Sequence, residues 1–177
     1  MDSKPQVTLP DEWIKRSREW GARVVADYAD GRNARSRAVS CFDAESNIEL
    51  QAKAKMCECA FALWAGIDPS RCHWERHCDD GADSTWLGRR WDIKATRING
   101  RFLIWPIAKN HIFESKRFDH LVLVKHDEPR FVIAGWVSKQ EFSKNHKVAG
   151  EGHKLFPGTW YMHEDELWGA PLLKEAA

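Results

Sequence analysis

The chain lacks the marks of a membrane or secreted protein. It has no apolar run long enough to cross a bilayer, and its opening residues, MDSKPQVTLP, are polar and do not read as a signal peptide. The five cysteines are an odd number without a secretory signal, which points to reduced thiols and a cytoplasmic protein. Net charge is also scarce. The 27 Lys and Arg against 26 Asp and Glu leave +1, so any nucleic-acid contact must come from a local basic face. There is no internal repeat, low-complexity tract or linker. A chain of 177 residues is therefore expected to form one domain with a sizeable core, residues 1–40 being an N-terminal helical extension of it.

Tryptophan is abundant, with ten copies. Trp is costly to leave exposed, so several should be core and a few should line a groove. Residues 1–9 read as a loose lead-in. From Pro10 to about Ala29, Trp13, Trp20, Val24 and Tyr28 recur at helical spacing, with Ser17 filling the gap in the stripe, and Asp30-Gly31 ends the helix. The Arg-rich stretch with Arg32, Arg35 and Arg37 reads as a phosphate-contacting loop. Ser46-Asn47-Ile48-Glu49 reads as a capping box, opening a helix that runs to Gly66.

The second half of that helix, MCECAFALWA, is apolar except for Glu58. A lone carboxylate there faces a desolvation cost unless a cation or donor meets it. The bland alternatives are an exposed stripe or a pair with an Arg.

A second feature is the stretch from Asp79 to Thr96, DDGADSTWLGRRWDIKAT. Asp83 and Asp92 flank an expected hairpin turn at Leu87-Gly88-Arg89. In a strand Asp92 and Lys94 share one face while Ile93 points into a core. Two hard oxygen ligands beside one ammonium suit Mg²⁺ and a phosphodiester. The competing explanation is an ordinary salt bridge across a hairpin. Arg89, Arg90, Arg97 and Arg101 supply nearby positive charge, each of them equally compatible with a solvated surface.

Downstream, strands are expected over 101–107, 120–125 and 131–137, the last two joined by a polar turn. A short helix is expected over 108–116, and another over 138–142, with Ser138 as cap and Glu141 three residues later. Residues 145–158 read as a mobile loop, and 159–173 should pack back on the core.

Cys57-Glu58, Asp80-Gly81-Ala82-Asp83 and Asp92-Ile93-Lys94-Ala95-Thr96 together resemble the PD-(D/E)xK nuclease superfamily, especially its small phage and bacterial members. A weaker likeness extends to Gly135-Trp136-Val137. The pattern spans roughly half of the chain and is specific around the acidic residues. Ala82 stands where the superfamily name has proline, Asp92 takes the aspartate option of the second motif, and Asp80 rivals Asp83.

The resemblance implies an α/β fold with a mixed central β-sheet flanked by helices, a restriction-endonuclease-like core. It implies a Mg²⁺- or Mn²⁺-dependent DNA nuclease in the cytoplasm of a bacterium or of a phage's host. Asp83, Asp92, Glu58 and the Ile93 carbonyl would hold the metal, and Lys94 would act on the attacking water. DNA is the expected partner, with no membrane and with a homodimer left open.

Two other readings compete. One is a non-catalytic nucleic-acid- or protein-binding module on the same scaffold. The other is a zinc-stabilised module using Cys72, His73, His77 and Cys78. Zinc needs a second ligand pair, and the i, i+2 spacing of Cys57 and Cys59 on a helix opposes it, so no stoichiometric zinc is expected.

Overall fold

The computed structural model describes residues 4–29, 44–74 and 81–169. The expected helix end at Asp30-Gly31, the segment with Arg32, Arg35 and Arg37, the side chain of Tyr28, and His77, Cys78 and Asp80 lie outside the described residues, as does the end of the expected 159–173 segment.

The fold is mixed α/β. In chain order it has β1 (Gln6–Thr8), α1 (Asp11–Ala29), α2 (Ala44–Trp64), β2 (Ser84–Trp86), β3 (Arg89–Arg97), β4 (Phe102–Trp105), β5 (His120–Asp127), β6 (Arg130–Ser138), α3 (Lys139–Asn145), β7 (Lys147–Val148) and β8 (Trp160–His163). The main sheet has five strands in the order β1-β6-β5-β3-β2, and a second sheet has three in the order β4-β8-β7. Among the described residues only β3 and β5 run parallel; the other pairs are antiparallel. Among the described residues no helix is long and apolar enough to cross a membrane.

Strand β5 shows how sequence pattern becomes layering. Its residues Leu121 to Lys125 are all buried, because both faces of the sheet are covered. Val122 and Val124 join Met56, Cys57, Ala60 and Phe61 of α2 in one core. Leu121 and Leu123 join Leu103, Trp105, Phe113, Phe142 and Met162 in the other. The main sheet is thus packed between helices on one side and the small sheet with its adjoining short helices on the other.

The helical layer is closer than aromatic residues alone would allow. The buried line of α1 is Ile14, Ser17, Gly21 and Val24, while Trp13 and Trp20 are half-buried at its margins. A Cβ at Gly21 would lie 2.7 Å from the Ile48 carbonyl oxygen, so only glycine admits α2 at this distance. The capping box expected at Ser46 is not formed, because α2 already begins at Ala44 and Ser46 lies within it. Glu49 instead pairs with Lys53 at 3.0 Å on the same helix.

Two segments read as loose are ordered. Residues 6–8 form β1, an edge strand on β6, in register Val7 with Phe131. Within 145–158, Lys147 and Val148 form β7 on β8. Both strands are too short for a periodicity signal. The expected hairpin is present as a two-residue connection, Leu87 and Gly88 both having positive φ, 53° and 69°. The box at Ser138 is also present, with the Glu141 N–H donating to Ser138 Oγ at 3.1 Å.

An ion cluster around the buried pair Glu164 and Lys125 joins the two sheets. Glu164, just after β8, receives Lys125 of β5, Lys4 at 3.3 Å and Arg101 at 3.3 Å. Burial would raise its pKa, but the hydrogen bonds and charges of Lys125 and Lys4 outweigh this and hold it at about 2. This stability is present above the ordinary glutamate pKa and is lost as pH falls towards 2. Glu164→Gln leaves the buried Lys125 without its counter-charge, and should lower unfolding free energy at pH 7 by about 3 kcal/mol. Urea melts at pH 7 and pH 3 check this, because the deficit should shrink at the lower pH.

Candidate functional site

The site is assembled at the edge of β3 where β2 stops. The short β2 pairs only Ser84, Thr85 and Trp86 with Trp91, Arg90 and Arg89. Asp83 extends this ladder by one bond, its N–H donating to the Trp91 carbonyl at 2.8 Å. Its side chain then turns along β3, and Oδ2 accepts the Ile93 N–H at 2.7 Å. In effect the carboxylate stands in for the missing strand neighbour. The N–H and C=O of a strand residue point to the same side, so the Ile93 carbonyl faces this edge too.

Asp92 and Lys94 share a face as their spacing requires. Their β5 partners are Leu121 and Leu123, which point to the second-sheet core, whereas the Ile93 side chain enters the helix-facing core. Lys94 Nζ lies 2.7 Å from Asp92 Oδ2 and 4.7 Å from the centre of the Trp105 ring. Trp105 of β4 therefore forms an apolar and π-rich platform under the ammonium. Asp92 is buried and Lys94 half-buried.

Glu58 comes from α2 and is also buried. The cation that meets it is Lys55, one turn earlier and only 3% exposed. Lys55 Nζ also donates to the His73 carbonyl at 2.7 Å and sits 4.4 Å from the Trp20 ring centre. Lys55 was not singled out from sequence. The signal was its i, i+3 spacing to Glu58, just upstream of the apolar window.

The electrostatics bind these residues into one group. The pKa of Glu58 is raised, first by burial and also by Asp92, although Lys55 and Lys94 oppose this. That of Asp83 is raised well above its ordinary value by burial, then by the charges of Glu58 and Asp92, against Lys94 and the Ile93 N–H. Three carboxylates thus share two ammonium groups, and the excess negative charge is felt at Glu58 and Asp83. Donor type and charge fit a hard divalent cation. Among the described residues, however, no three His, Cys, Asp or Glu side chains stand together closely enough to hold an ion as they are placed. One oxygen of each carboxylate is engaged, by Lys55, the Ile93 N–H and Lys94 respectively.

Other expected site residues are distributed elsewhere. Arg90 is committed to Asp119, and Arg101 to Glu164 and Asp165. Arg89 and Arg97 are exposed. Among the thiols, Cys57 Sγ faces the Val124 carbonyl at 3.9 Å, whereas Cys59 neighbours Cys72. Both thiols have raised pKa values, Cys57 through burial and Cys59 through its neighbour Cys72 and burial. Cys57 and Cys59 thus face different partners, and His73 is exposed.

Comparison with protein-family models, with curated proteins and with solved structures finds no match for this chain.

The Lys55 contact makes a separate prediction. Lys55→Met keeps much of the volume but removes the charge beside Glu58, so Glu58 should take up a proton more readily. Were Mn²⁺ held by this group, its affinity should fall more steeply with falling pH in Lys55→Met than in the wild type, and Glu58→Gln should show no such change. Calorimetric Mn²⁺ titrations at several pH values read this out.

Proposed function

We propose that the chain is a divalent-metal-dependent nuclease that hydrolyses phosphodiester bonds in DNA, on a restriction-endonuclease-like core. The observation that carries this reading is the acidic group at the β3 edge. Glu58 comes from α2, Asp83 from the residue before β2 and Asp92 from β3; they act on one another electrostatically and have Lys94 beside them. Structural ion pairs usually balance their charges. Here two buried or half-buried carboxylates are left with raised pKa values, the pattern expected of a site built for a further cation.

Asp83 and Asp92 would hold Mg²⁺ or Mn²⁺, with Glu58 and the Ile93 carbonyl as further donors. When bound, the ion supplies a Lewis acid to the phosphate and lowers the pKa of a water. The chain's own groups do the rest. Lys94, held over Trp105, presents an ammonium that can orient the attacking water and stabilise charge developing on the phosphate. Asp92 fixes that ammonium through their 2.7 Å contact. The Ile93 N–H fixes the Asp83 carboxylate, so its rotamer is set before substrate arrives.

A second reading is favoured by a specific observation. Glu58 and Asp92 are each ion-paired to a lysine, which is also how a non-catalytic binding module would satisfy buried carboxylates. One experiment separates the two. Plasmid, linear duplex and single-stranded DNA are incubated with purified protein and Mn²⁺ or Mg²⁺, with EDTA controls. The nuclease reading expects cleavage that EDTA abolishes. Cleavage that survives EDTA removes the metal mechanism, and binding without cleavage of any form supports the module.

A further inference from the structure

A cleft of about 980 Å³ opens at the end of the main sheet where β3 and β5 begin and β6 ends. Its wall is a row of aromatic rings, of which His120 and Trp136 are half-buried and Trp91 is 2% exposed beneath His120. Trp91 and His120 are register partners on the parallel pair β3 and β5, and Trp136 lies on the same face of β6, opposite Val122. His120 stacks on Trp91, with centroids 4.4 Å apart and planes 18° from parallel, and meets Trp136 edge-on at 5.0 Å. Two polar atoms in this wall, His120 Nδ1 and Trp136 Nε1, are buried without a hydrogen-bond partner. Exposed Arg89 and Lys144 line the cleft as well.

The combination is specific in its chemistry. The half-buried rings of His120 and Trp136 suit stacking of a planar heterocycle. Mobile cations at the mouth suit the phosphates on either side of it. Glu114 and Asp119 also line the cleft; the Asp119 carboxylate accepts the Arg90 backbone N–H at 2.8 Å and is partly neutralised by the Arg90 side chain at 3.8 Å. The cleft is also joined to the acidic site. Trp91 immediately precedes Asp92 on β3, its side chain on the opposite face of the strand, and its carbonyl accepts the Asp83 N–H at 2.8 Å.

We infer that this cleft binds an unstacked base of a single-stranded nucleic acid, and so presents the neighbouring backbone to the acidic group on β3. A base within a duplex has both faces covered and cannot be offered to the His120–Trp136 wall. The substrate class is therefore a single strand, or a single-stranded end or flap. This deepens the nuclease reading and rests on it for the role of the bound strand, though strand binding itself stands apart from cleavage.

The test is a titration in EDTA, where cleavage does not interfere. Fluorescein-labelled 12-mers of single-stranded DNA, the same sequence as RNA, and the blunt DNA duplex are compared by anisotropy, with unlabelled adenosine monophosphate as competitor. Tryptophan fluorescence is followed in parallel. A single strand is expected to bind at least tenfold tighter than the duplex and to quench Trp emission. The DNA and RNA arms show which sugar is preferred. Arg89→Glu combined with Lys144→Glu, both on exposed positions, should weaken strand binding at least tenfold, and His120→Ala several-fold, with circular dichroism unchanged.

Duplex binding as tight as the single strand would overturn the inference, as would unaltered binding by both the charge-reversed and His120 variants. Mononucleotide competing as strongly as the 12-mer would replace a strand by a free nucleotide and also overturn it. The two proposals fail differently. Cleft-dependent strand binding without any Mn²⁺-dependent cleavage removes the nuclease reading alone. Cleavage with a single-strand preference indifferent to the cleft variants removes the cleft alone.

Discussion

Asp92→Asn is expected to weaken Mn²⁺ binding and lower DNA cleavage by at least about a hundredfold, while Lys94→Ala lowers cleavage by a similar factor and leaves Mn²⁺ affinity unchanged or slightly higher. The two residues touch, yet their roles diverge. Asn keeps the shape of Asp92 but removes a formal charge from the proposed ion site. It also leaves Lys94 without the carboxylate 2.7 Å away, so the ammonium loses its anchor over Trp105. Removing Lys94 takes away no ligand, and it takes away a cation that repels the metal. Calorimetric titration with Mn²⁺ alongside a nicking assay separates the effects, with circular dichroism to exclude unfolding. Wild-type cleavage by Lys94→Ala with an inactive Asp92→Asn would leave the acidic site in place and remove Lys94 from the chemistry. Full activity in both variants would put the active site elsewhere.

Asp83→Asn should make the metal-free protein more stable, by a few degrees in Tm, and at the same time end cleavage. The Asp83 pKa is raised in the folded state by burial, Glu58 and Asp92. A raised carboxylate pKa means that the folded chain holds its proton more tightly than the unfolded chain does. Stability from this group is therefore present at low pH and is lost as pH rises from the unfolded pKa through the folded one. At neutral pH the charged form is a burden that Asn removes, while the Asn side-chain oxygen can still accept the Ile93 N–H. For a chain of this size, each kcal/mol gained moves Tm by roughly 2–4 °C. Thermal melts from pH 5 to 8 should show the gain growing with pH. Adding Mn²⁺ should raise the wild-type Tm, more so at higher pH, and barely move that of the variant. A variant less stable than wild type across the range would mean that Asp83 is an ordinary structural carboxylate.

How much of this could be read from sequence depends on the range of the interactions involved. The hairpin around Leu87-Gly88, the capping box at Ser138 and the alternation of Asp92, Ile93 and Lys94 are local, and each is present. Strands β5 and β6 were legible because long apolar β-branched runs are what a doubly covered strand needs. The capping pattern at Ser46 misled because a motif of the right residues does not say whether the helix has already begun, and α2 starts at Ala44. Strand β1 escaped notice because three residues carry no period, and only pairing with β6 makes them a strand.

At the site, the acidic residues and Lys94 were visible through their spacing. Lys55 was not, because its burial depends on Trp20 of α1 and the His73 carbonyl, both distant in sequence. The aromatic wall of Trp91, His120 and Trp136 is likewise created by register between three strands. Composition announced many tryptophans but not which of them would be only half-buried.

The most direct measurement of the central claim is anomalous diffraction from a crystal soaked in Mn²⁺. One strong peak is expected at the β3 edge, about 2.0–2.3 Å from oxygens of both Asp83 and Asp92, with the Ile93 carbonyl and Glu58 or a water completing the shell. Glu58 and Lys55 would have to part slightly if the carboxylate binds directly. No peak at this edge under Mn²⁺ concentrations that support cleavage, or a peak bound by other residues, would contradict it.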